Sequence, residues 1–357
     1  MKKLFRLYII ILICSLVCVP QTTYSKNIRV RLLDYCDSYL NTHQDLRFVL
    51  SDNGTKMNLR LLKNSSFPNK LINFLFSKYF GPKLGMIEYG EILQVINSMP
   101  ESENNFVKYQ KALMSTYHLT RNSAQKIPKH GPLLIVANHP GAGWEIFSIV
   151  EFVLKTRSDF KILANEVLAS IPGLGDSFIP VPILQKKQSE ALKQAEQQLE
   201  QDGVLIVFPS ATVSHYVIGK SQNGEPIVVD GPWTSALMRV IKRVQPSIVP
   251  IHVDSQPTET WLEAVEKGGN DTLRVLNHFG NEILSHRGED VPLTVGRAIE
   301  ANVYLEKIGL KDLFPTLRRA TYLLNSITLP DTLIGQNEKS KELDVTRNNE
   351  AAKLWLP

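Results

Sequence analysis

The chain has 357 residues, of which 43% are hydrophobic and 21% are charged, and its formal net charge is +5 at pH 7. This is the composition of a globular protein with one large domain or two modest ones. The net charge says little about partners, and we expect no nucleic-acid partner. Beyond the amino terminus no apolar run reaches the roughly 18 residues of a membrane-spanning helix, which excludes a multispan membrane protein. Cys14 and Cys18 lie in an amino-terminal apolar run, and Cys36 alone cannot form a disulfide framework or a cysteine-rich metal site.

Residues 1–25 have the layout of a secretory signal peptide. Three basic residues precede an apolar run over residues 7–19, which ends at Pro20 and is followed by small side chains at Thr23 and Ser25. The run is too short to cross a hydrocarbon core of about 30 Å as a helix. Cleavage would remove three basic residues and no acidic one, which lowers the net charge from +5 to +2. The alternative is an uncleaved, shallow anchor, so we expect a membrane-associated or exported protein.

The N-terminal region, residues 26–125, is predicted to be helical from about residue 68. Apolar and aromatic residues recur at three- and four-residue spacing over residues 71–99, which predicts two amphipathic helices. A third helix is predicted over residues 105–117. The aromatic side chains of the first helix either pack against the core or form a surface that rests on a bilayer; they are Phe74, Phe76, Tyr79 and Phe80.

Residues 126–335 alternate strand and helix patterns at lengths typical of an α/β domain with a mostly parallel central sheet flanked by helices. Strands are predicted at residues 133–137, 160–164, 178–181, 204–208, 248–251 and 291–295. Helices are predicted at residues 146–155, 187–201, 233–243 and 317–325. The tail, residues 336–357, is polar apart from a Leu-Trp-Leu triplet near its end, and we expect it to be mobile.

The strongest candidate site follows the apolar strand at residues 133–137, where the chain continues as NHPGAGWE. Because an α/β strand displays its chemistry just past its carboxyl end, the imidazole of His139 would lie in a ligand crevice. A histidine becomes a general base when a carboxylate fixes one ring nitrogen and the other faces a substrate hydroxyl. The glycine-containing turn would let Glu145 reach back to His139. The alternative is a solvent-facing histidine, with Glu145 present because acids suit a helix amino terminus.

Several other classes of site lack their motifs. The sequence has no His-Glu-x-x-His, no Gly-x-Ser-x-Gly, no Walker-type loop and no Gly-x-Gly-x-x-Gly, which argues against a metalloprotease, an α/β-hydrolase or a nucleotide-binding protein. Ser210, Ser214 and His215 therefore lack the turn that a serine nucleophile needs. The remaining polar candidates are predicted to be structural; they are Asp230, Trp233, His252 and His278.

The segment GPLLIVANHPGAGWE resembles the first block of the lysophospholipid acyltransferase superfamily (glycerolipid acyltransferase-like), in particular its hemolysin-like or ornithine-lipid acyltransferase branch. Three later segments resemble further blocks in the same order: LIVFPSATVSH, VVDGPWTSALMRVIKRVQPSIVPIHV and LTVGRAIE. The resemblance covers about residues 70–307. It implies an acyltransferase fold for residues 126–335 and a role in phospholipid or related lipid metabolism.

The resemblance also implies a reaction. His139 would deprotonate the hydroxyl of a lysolipid-like acceptor for attack on an acyl thioester, and Glu145 would orient it. The implied donor substrate is acyl-CoA or acyl-ACP, and we expect no metal and no bound cofactor, with the lipid acceptor and a membrane surface as partners. The implied substrate-binding residues are Asn138, Gly143, Pro209, Ser210, Thr212, Ser214 and Arg297.

Two positions differ from the family pattern. Glu145 stands where the family has an aspartate, and Ala211-Thr212 stand where it has Gly-Glu. Thr212 can form hydrogen bonds but carries no charge. The alternative function is therefore a catalytically impaired lipid-binding protein that retains the acyltransferase fold. The donor depends on the amino terminus, since an exported protein would need a donor other than a cytosolic thioester, such as a phospholipid.

Overall fold

The structure is a computed structural model. It describes residues 44–51, 56–63, 70, 73–74, 78, 86–113, 116–119, 127–141, 145–166, 168–182, 188–210, 215–220, 226–268, 278, 281–282, 284–329 and 350–357. The predicted signal peptide and most of the aromatic residues of the predicted first helix lie outside this range. Among the described helices, none combines the length and the apolar character needed to cross a membrane.

Seven described strands form the central sheet, in the order β3-β11-β10-β4-β7-β5-β6, and the other strands form two hairpins, β1-β2 and β8-β9. The strands are β1 (Gln44–Ser51), β2 (Lys56–Leu62), β3 (Thr116–Leu119), β4 (Leu133–Ala137), β5 (Phe160–Asn165), β6 (Phe178–Val181), β7 (Val204–Val207), β8 (His215–Lys220), β9 (Pro226–Val229), β10 (Ser247–Val253) and β11 (Asp290–Val295). β4, which precedes the candidate histidine, lies at the centre of the sheet. All of its residues are buried, as expected for an apolar strand covered on both faces.

The sheet is mixed but mostly parallel. β10, β4, β7, β5 and β6 run in one direction, and β11 pairs antiparallel to β10. β3 runs parallel to β11 at the edge. The predicted α/β fold with a mostly parallel sheet flanked by helices is therefore confirmed.

Helices cover both faces of this sheet. They are α1 (Met86–Asn97), α2 (Asn105–Ala112), α3 (Glu145–Leu154), α4 (Ser189–Glu200), α5 (Met238–Val244), α6 (Glu259–Gly268), α7 (Ala301–Lys307) and α8 (Leu310–Leu323). One core joins the odd-numbered residues of β4 to α2, α3 and α6, and the other joins its even-numbered residues to α4, α5, α7 and α8. This alternation follows from the two-residue period of a strand, and each fully buried aliphatic side chain contributes about 1.5–3 kcal/mol.

The helix predicted over residues 105–117 is too long. α2 ends at Ala112, and Thr116–Leu119 forms β3, which pairs with the edge of β11. Threonine and tyrosine favour a pleated strand over a helix, and β11 offers them a free edge. These residues, assigned from the sequence to the N-terminal region, thus belong to the central sheet.

The end of the predicted mobile tail is packed on the core. Trp355 is fully buried, its indole nitrogen donates to the carbonyl of Ile248 at 3.3 Å, and its own carbonyl accepts from the backbone N–H of Arg297 at 2.8 Å. The approach is close at Gly296, where a Cβ atom would lie 2.7 Å from the Trp355 carbonyl oxygen. The expectation of mobility is therefore wrong for residues 350–357, because the tryptophan buries a large apolar surface there.

Candidate active site

The candidate site lies where neighbouring strands send their connections to opposite faces of the sheet. β4 leads into α3 on one face, whereas the adjacent β7 leads through the β8-β9 hairpin into α5 on the other. Such a switch point opens a crevice beyond the carboxyl ends of the strands, where α/β proteins bind ligands. Residues 138–141 and 208–210 directly follow these two strands at their carboxyl ends.

The side chains of His139 and Glu145 are in contact. The Nδ1 atom of His139 lies against the Oε1 atom of Glu145, which is the first residue of α3. The histidine side chain is 20% exposed, whereas the glutamate side chain is fully buried. The structure thus brings together the two residues that the sequence predicts as base and orienter, although residues 142–144 between them, with Gly143, lie outside the described range.

Asn138 joins β4 to β10. Its side-chain nitrogen donates to the carbonyl of Val253 at 3.0 Å, and its side-chain oxygen accepts from the Val253 N–H at 2.7 Å. The residue is 4% exposed. Because both ends of the amide are bonded to backbone, Asn138 holds the loop in place, and this geometry does not favour the substrate contact predicted for it.

Asp230 was predicted to be structural, and it contacts the histidine loop directly. Its Oδ2 atom accepts the backbone N–H of His139 at 3.2 Å and the indole N–H of Trp233 at 2.9 Å. Its Oδ1 atom accepts the hydroxyl of Tyr322 at 2.8 Å and lies 3.4 Å from Nε of Arg318. The carboxylate, which is buried, therefore connects the loop after β4 to α8.

Phe208 is a further neighbour of His139 that the sequence did not single out. It directly follows β7, and its ring centroid lies 4.9 Å from that of the imidazole, at an interplanar angle of 36°. Phe208 is also part of the apolar core on the α3 side of the sheet. One side of the imidazole therefore faces an aromatic ring. The available signal was its position, since Phe208 directly follows the buried strand that pairs with β4.

The predicted contacts after β7 are described only in part. Pro209 and Ser210 are buried at the carboxyl end of the strand, and the carbonyl of Pro209 accepts the N–H of Thr234 at 2.8 Å. They therefore lie at the same end of the sheet as His139, because β7 is parallel to β4. Thr212 and Ser214 lie outside the described residues.

Arg297 lies toward the opposite end of the strands. The register aligns Ile251 with both Ala137 on β4 and Val295 on β11. Because β11 is antiparallel to β10, the chain that leaves β11 reaches Arg297 on the side of the amino end of β10. The chain that leaves β4 reaches His139 on the side of its carboxyl end. Each residue lies two positions beyond the aligned residues, in opposite directions. At about 3.3 Å per residue, the two backbones are therefore about 13 Å apart in the direction of the strands. The prediction that Arg297 helps to form the site does not fit this register.

His252 is buried on the α8 side of β10, where its ring packs edge-on against Tyr322 at a centroid distance of 5.5 Å. Burial lowers its pKa from 6.5 to about 3, so the ring is neutral at physiological pH. This environment agrees with the structural role predicted for it. Among the described residues, no group of three or more His, Cys, Asp or Glu side chains is arranged to hold a metal ion.

The match to a known protein family falls on the same part of the chain. Residues 118–254 match the family model described as Acyltransferase, and this segment contains β4, the His139 loop and the strands on either side. The crystal structure of the 1-acyl-sn-glycerophosphate (LPA) acyltransferase PlsC from Thermotoga maritima is similar at 17% sequence identity, covering 68% of this chain and 97% of that chain, with a TM-score of 0.31. No curated protein matches the chain. Residues 118–254 thus resemble the acyltransferase family, which supports acyl transfer as the general class of activity.

Proposed function

We propose that the protein is an O-acyltransferase that moves a fatty acyl chain from an acyl thioester, acyl-CoA or acyl-ACP, to the hydroxyl of a lysolipid-like acceptor. The observation that carries this proposal is the contact between Nδ1 of His139 and Oε1 of Glu145 at the carboxyl end of the central strand. The contact lies within the segment that matches the acyltransferase family. A histidine held by a buried carboxylate is the arrangement that general-base activation of a hydroxyl requires.

The carboxylate of Glu145 favours the tautomer with the proton on Nδ1, which leaves the ring lone pair on Nε2. In the proposed step Nε2 takes the proton of the acceptor hydroxyl while its oxygen forms a bond to the thioester carbonyl carbon. The C–S bond of the tetrahedral intermediate then breaks, and the leaving thiolate takes the proton back from the imidazolium. A thioester is already activated, so alignment and a base are the main requirements for the protein.

The surroundings of the pair suit this chemistry. Glu145 is fully buried and Phe208 packs against the imidazole. In such a low-dielectric environment, the attraction between a carboxylate and a newly formed imidazolium is stronger than in water. The histidine remains partly exposed, so a substrate can approach it.

The resemblance to the hemolysin-like or ornithine-lipid branch supports a lysophospholipid or related lysolipid as the acceptor. Such an acceptor resides in a membrane, so the protein would work at a membrane surface.

Retention of residues 1–25 as an anchor on the cytosolic side of the membrane would give the protein access to acyl thioesters. Sequencing the amino terminus of the mature protein tests this arrangement: an uncleaved terminus supports it and cleavage after residue 25 contradicts it.

A second candidate function is lipid binding without turnover. It is favoured by one observation, the presence of Thr212 where the resembling family has a glutamate. Such a protein would retain the fold and an acyl-binding surface but lack a charged group beside the acceptor.

Acyl transfer from labelled acyl-CoA and acyl-ACP to a panel of lysolipids tests the proposal. We expect His139→Ala to lower the rate by about 10²–10⁴-fold, the usual contribution of a general base. The matched control is His130→Ala, which changes an exposed histidine in the loop before β4. Equal rates for the wild type and His139→Ala would contradict the enzyme proposal. Lipid that copurifies with both proteins, without turnover, would support the binding function instead.

A further inference from the structure

The hydrogen bonds of the buried Asp230 carboxylate come from two directions. Oδ2 receives the backbone N–H of His139 at 3.2 Å and the indole N–H of Trp233 at 2.9 Å. Oδ1 receives the hydroxyl of Tyr322 at 2.8 Å, with Nε of Arg318 at 3.4 Å. A buried carboxylate is tolerated when its oxygens are satisfied in this way and a cation lies nearby.

Asp230 is itself fixed by α8. The guanidinium of Arg318, which is buried, also donates to the backbone carbonyl of Asp230, and the hydroxyl of Tyr322 accepts the Asp230 N–H at 2.8 Å. Burial raises the pKa of Tyr322 well above 10, so its hydroxyl keeps the proton that it donates to Asp230. Both the backbone and the side chain of Asp230 are therefore held, and its carboxylate has little freedom to move.

The group that this carboxylate holds is the backbone of the proposed base. Asn138 bonds to Val253 on β10, and the next residue, His139, bonds through its N–H to Asp230. The loop is thus anchored at two consecutive residues, one bonded to β10 and the other to Asp230, which follows β9. Positioning matters here because a displacement of about 1 Å in a reacting group can cost roughly 10²-fold in rate.

We propose that Asp230 is a positioning residue for His139, and that Arg318 and Tyr322 make α8 part of the site by fixing Asp230 through direct hydrogen bonds. This inference rests on the proposed function, because it assigns Asp230 to the alignment of the same base. The guanidinium of Arg318 offsets the charge of the carboxylate. Asp230 therefore fixes the position of the imidazole.

Two double variants of the full-length protein separate the hydrogen bond from the ion pair. Removing one charge alone would leave the other buried without its partner, which can unfold a protein. Asp230→Asn with Arg318→Met and Asp230→Ala with Arg318→Met both remove the pair. The asparagine retains an oxygen that can accept the His139 N–H, whereas the alanine has none.

We expect the asparagine double variant to keep kcat within about 5-fold of the wild type, the scale of one altered hydrogen bond. We expect the alanine double variant to lose about 10²-fold in kcat, with little change in KM and an unchanged pH dependence of kcat/KM. Equal activity of the two variants, both high or both low, would overturn the proposal. A shifted pH profile in the asparagine variant would also overturn it, since the charge would then act on the base.

Hydrogen exchange at the backbone N–H of His139 gives a readout that does not depend on turnover. Exchange should be faster in the alanine double variant than in the asparagine one, and equal exchange would overturn the proposal. If the wild type transferred no acyl group, the proposed function would fail, while this comparison would still test the hydrogen bond between Asp230 and His139.

Trp233→Phe, at a partly exposed position, provides a milder variant should the double variants not fold. It should raise exchange at His139 several-fold, and unchanged exchange would count against Asp230 as the anchor.

Discussion

Two of the histidines that the structure describes contact glutamate side chains, with opposite consequences. His139 places Nδ1 against Glu145 and keeps 20% of its side chain exposed. His286 is 4% exposed and lies between two carboxylates, with Nε2 at 3.0 Å from Glu282 and Nδ1 at 2.6 Å from Glu289. The first arrangement suits a base and the second suits a fixed cation.

The pKa of His286 shows what the second carboxylate does. Burial by itself would lower this pKa, but the hydrogen bonds to Glu282 and Glu289 outweigh it and raise the pKa above 6.5. An imidazolium whose two N–H groups both point at carboxylates has no lone pair to accept a proton. The number of contacting carboxylates and the exposed fraction of the side chain therefore separate the candidate catalytic histidine from the structural one.

The same segment of chain links both regions. Val253, at the end of β10, bonds to Asn138 beside the candidate base. Thr258, which precedes α6, donates its backbone N–H to Glu282 at 3.0 Å and its hydroxyl to the same carboxylate. His286, Glu282 and Glu289, here called the His286 cluster, thus hold the segment that follows β10 through Thr258. Three changes test the contrast between the two histidines.

The largest expected effect is on turnover in Glu145→Gln. The amide of glutamine can donate to Nδ1, which would move the ring proton to Nε2 and remove the lone pair from the reacting side. We expect acyl transfer to fall by about 10²–10⁴-fold. Glu145→Asp is the matched control because it keeps a carboxylate, and it should lose less activity. If the two variants were equally active, the carboxylate would not orient His139.

The part of the site that lies within one stretch of sequence was open to prediction. The buried strand, the turn and the acidic residue that begins α3 all fall within residues 133–145, so apolar pattern and turn residues place His139 near Glu145. Asp230 was not open to this approach, because 91 residues separate it from His139. Its position before a Gly-Pro pair also has an ordinary explanation in turn formation. Only the folded sheet shows that α8 holds it.

The direction of β11 and the packing of the tail could not be predicted from local sequence patterns either. The pattern of β11 predicts a buried strand but not its antiparallel direction, which carries Arg297 away from the crevice. A single tryptophan in a polar tail carries no periodicity, so nothing in residues 350–357 indicates a docking site on β10. Both features depend on partners that are distant in the sequence, and local patterns do not specify such partners.

A smaller effect is expected on stability in His286→Gln. Removing the imidazolium leaves the buried carboxylate of Glu282 without its cation, which should lower the free energy of unfolding by about 3 kcal/mol. Because the folded-state pKa is raised, the stabilisation is fully present below the unfolded pKa of about 6.5 and is lost as pH rises through the folded pKa. Denaturant titrations of both proteins from acidic to alkaline pH measure this difference.

Glu289→Gln is the control for that experiment. The side chain of Glu289 is 48% exposed, so its pair with His286 is screened by solvent and should contribute less than about 1 kcal/mol. A stability difference between wild type and His286→Gln that grew with pH would contradict the assignment of His286 as a buried cation. It would also remove the contrast with His139.

The smallest expected effect concerns Thr258, where the cluster meets α6. The Thr258 hydroxyl donates to Glu282, and its oxygen accepts the N–H of Trp261 at 3.2 Å, which caps the helix. Thr258→Val keeps the shape and removes both bonds, so we expect a loss of about 1 kcal/mol in denaturant unfolding. Thr258→Ser keeps the hydroxyl and should lose less. If valine were tolerated as well as serine, the cluster would not brace α6 through this hydroxyl, and the structural role of His286 would be confined to its own segment.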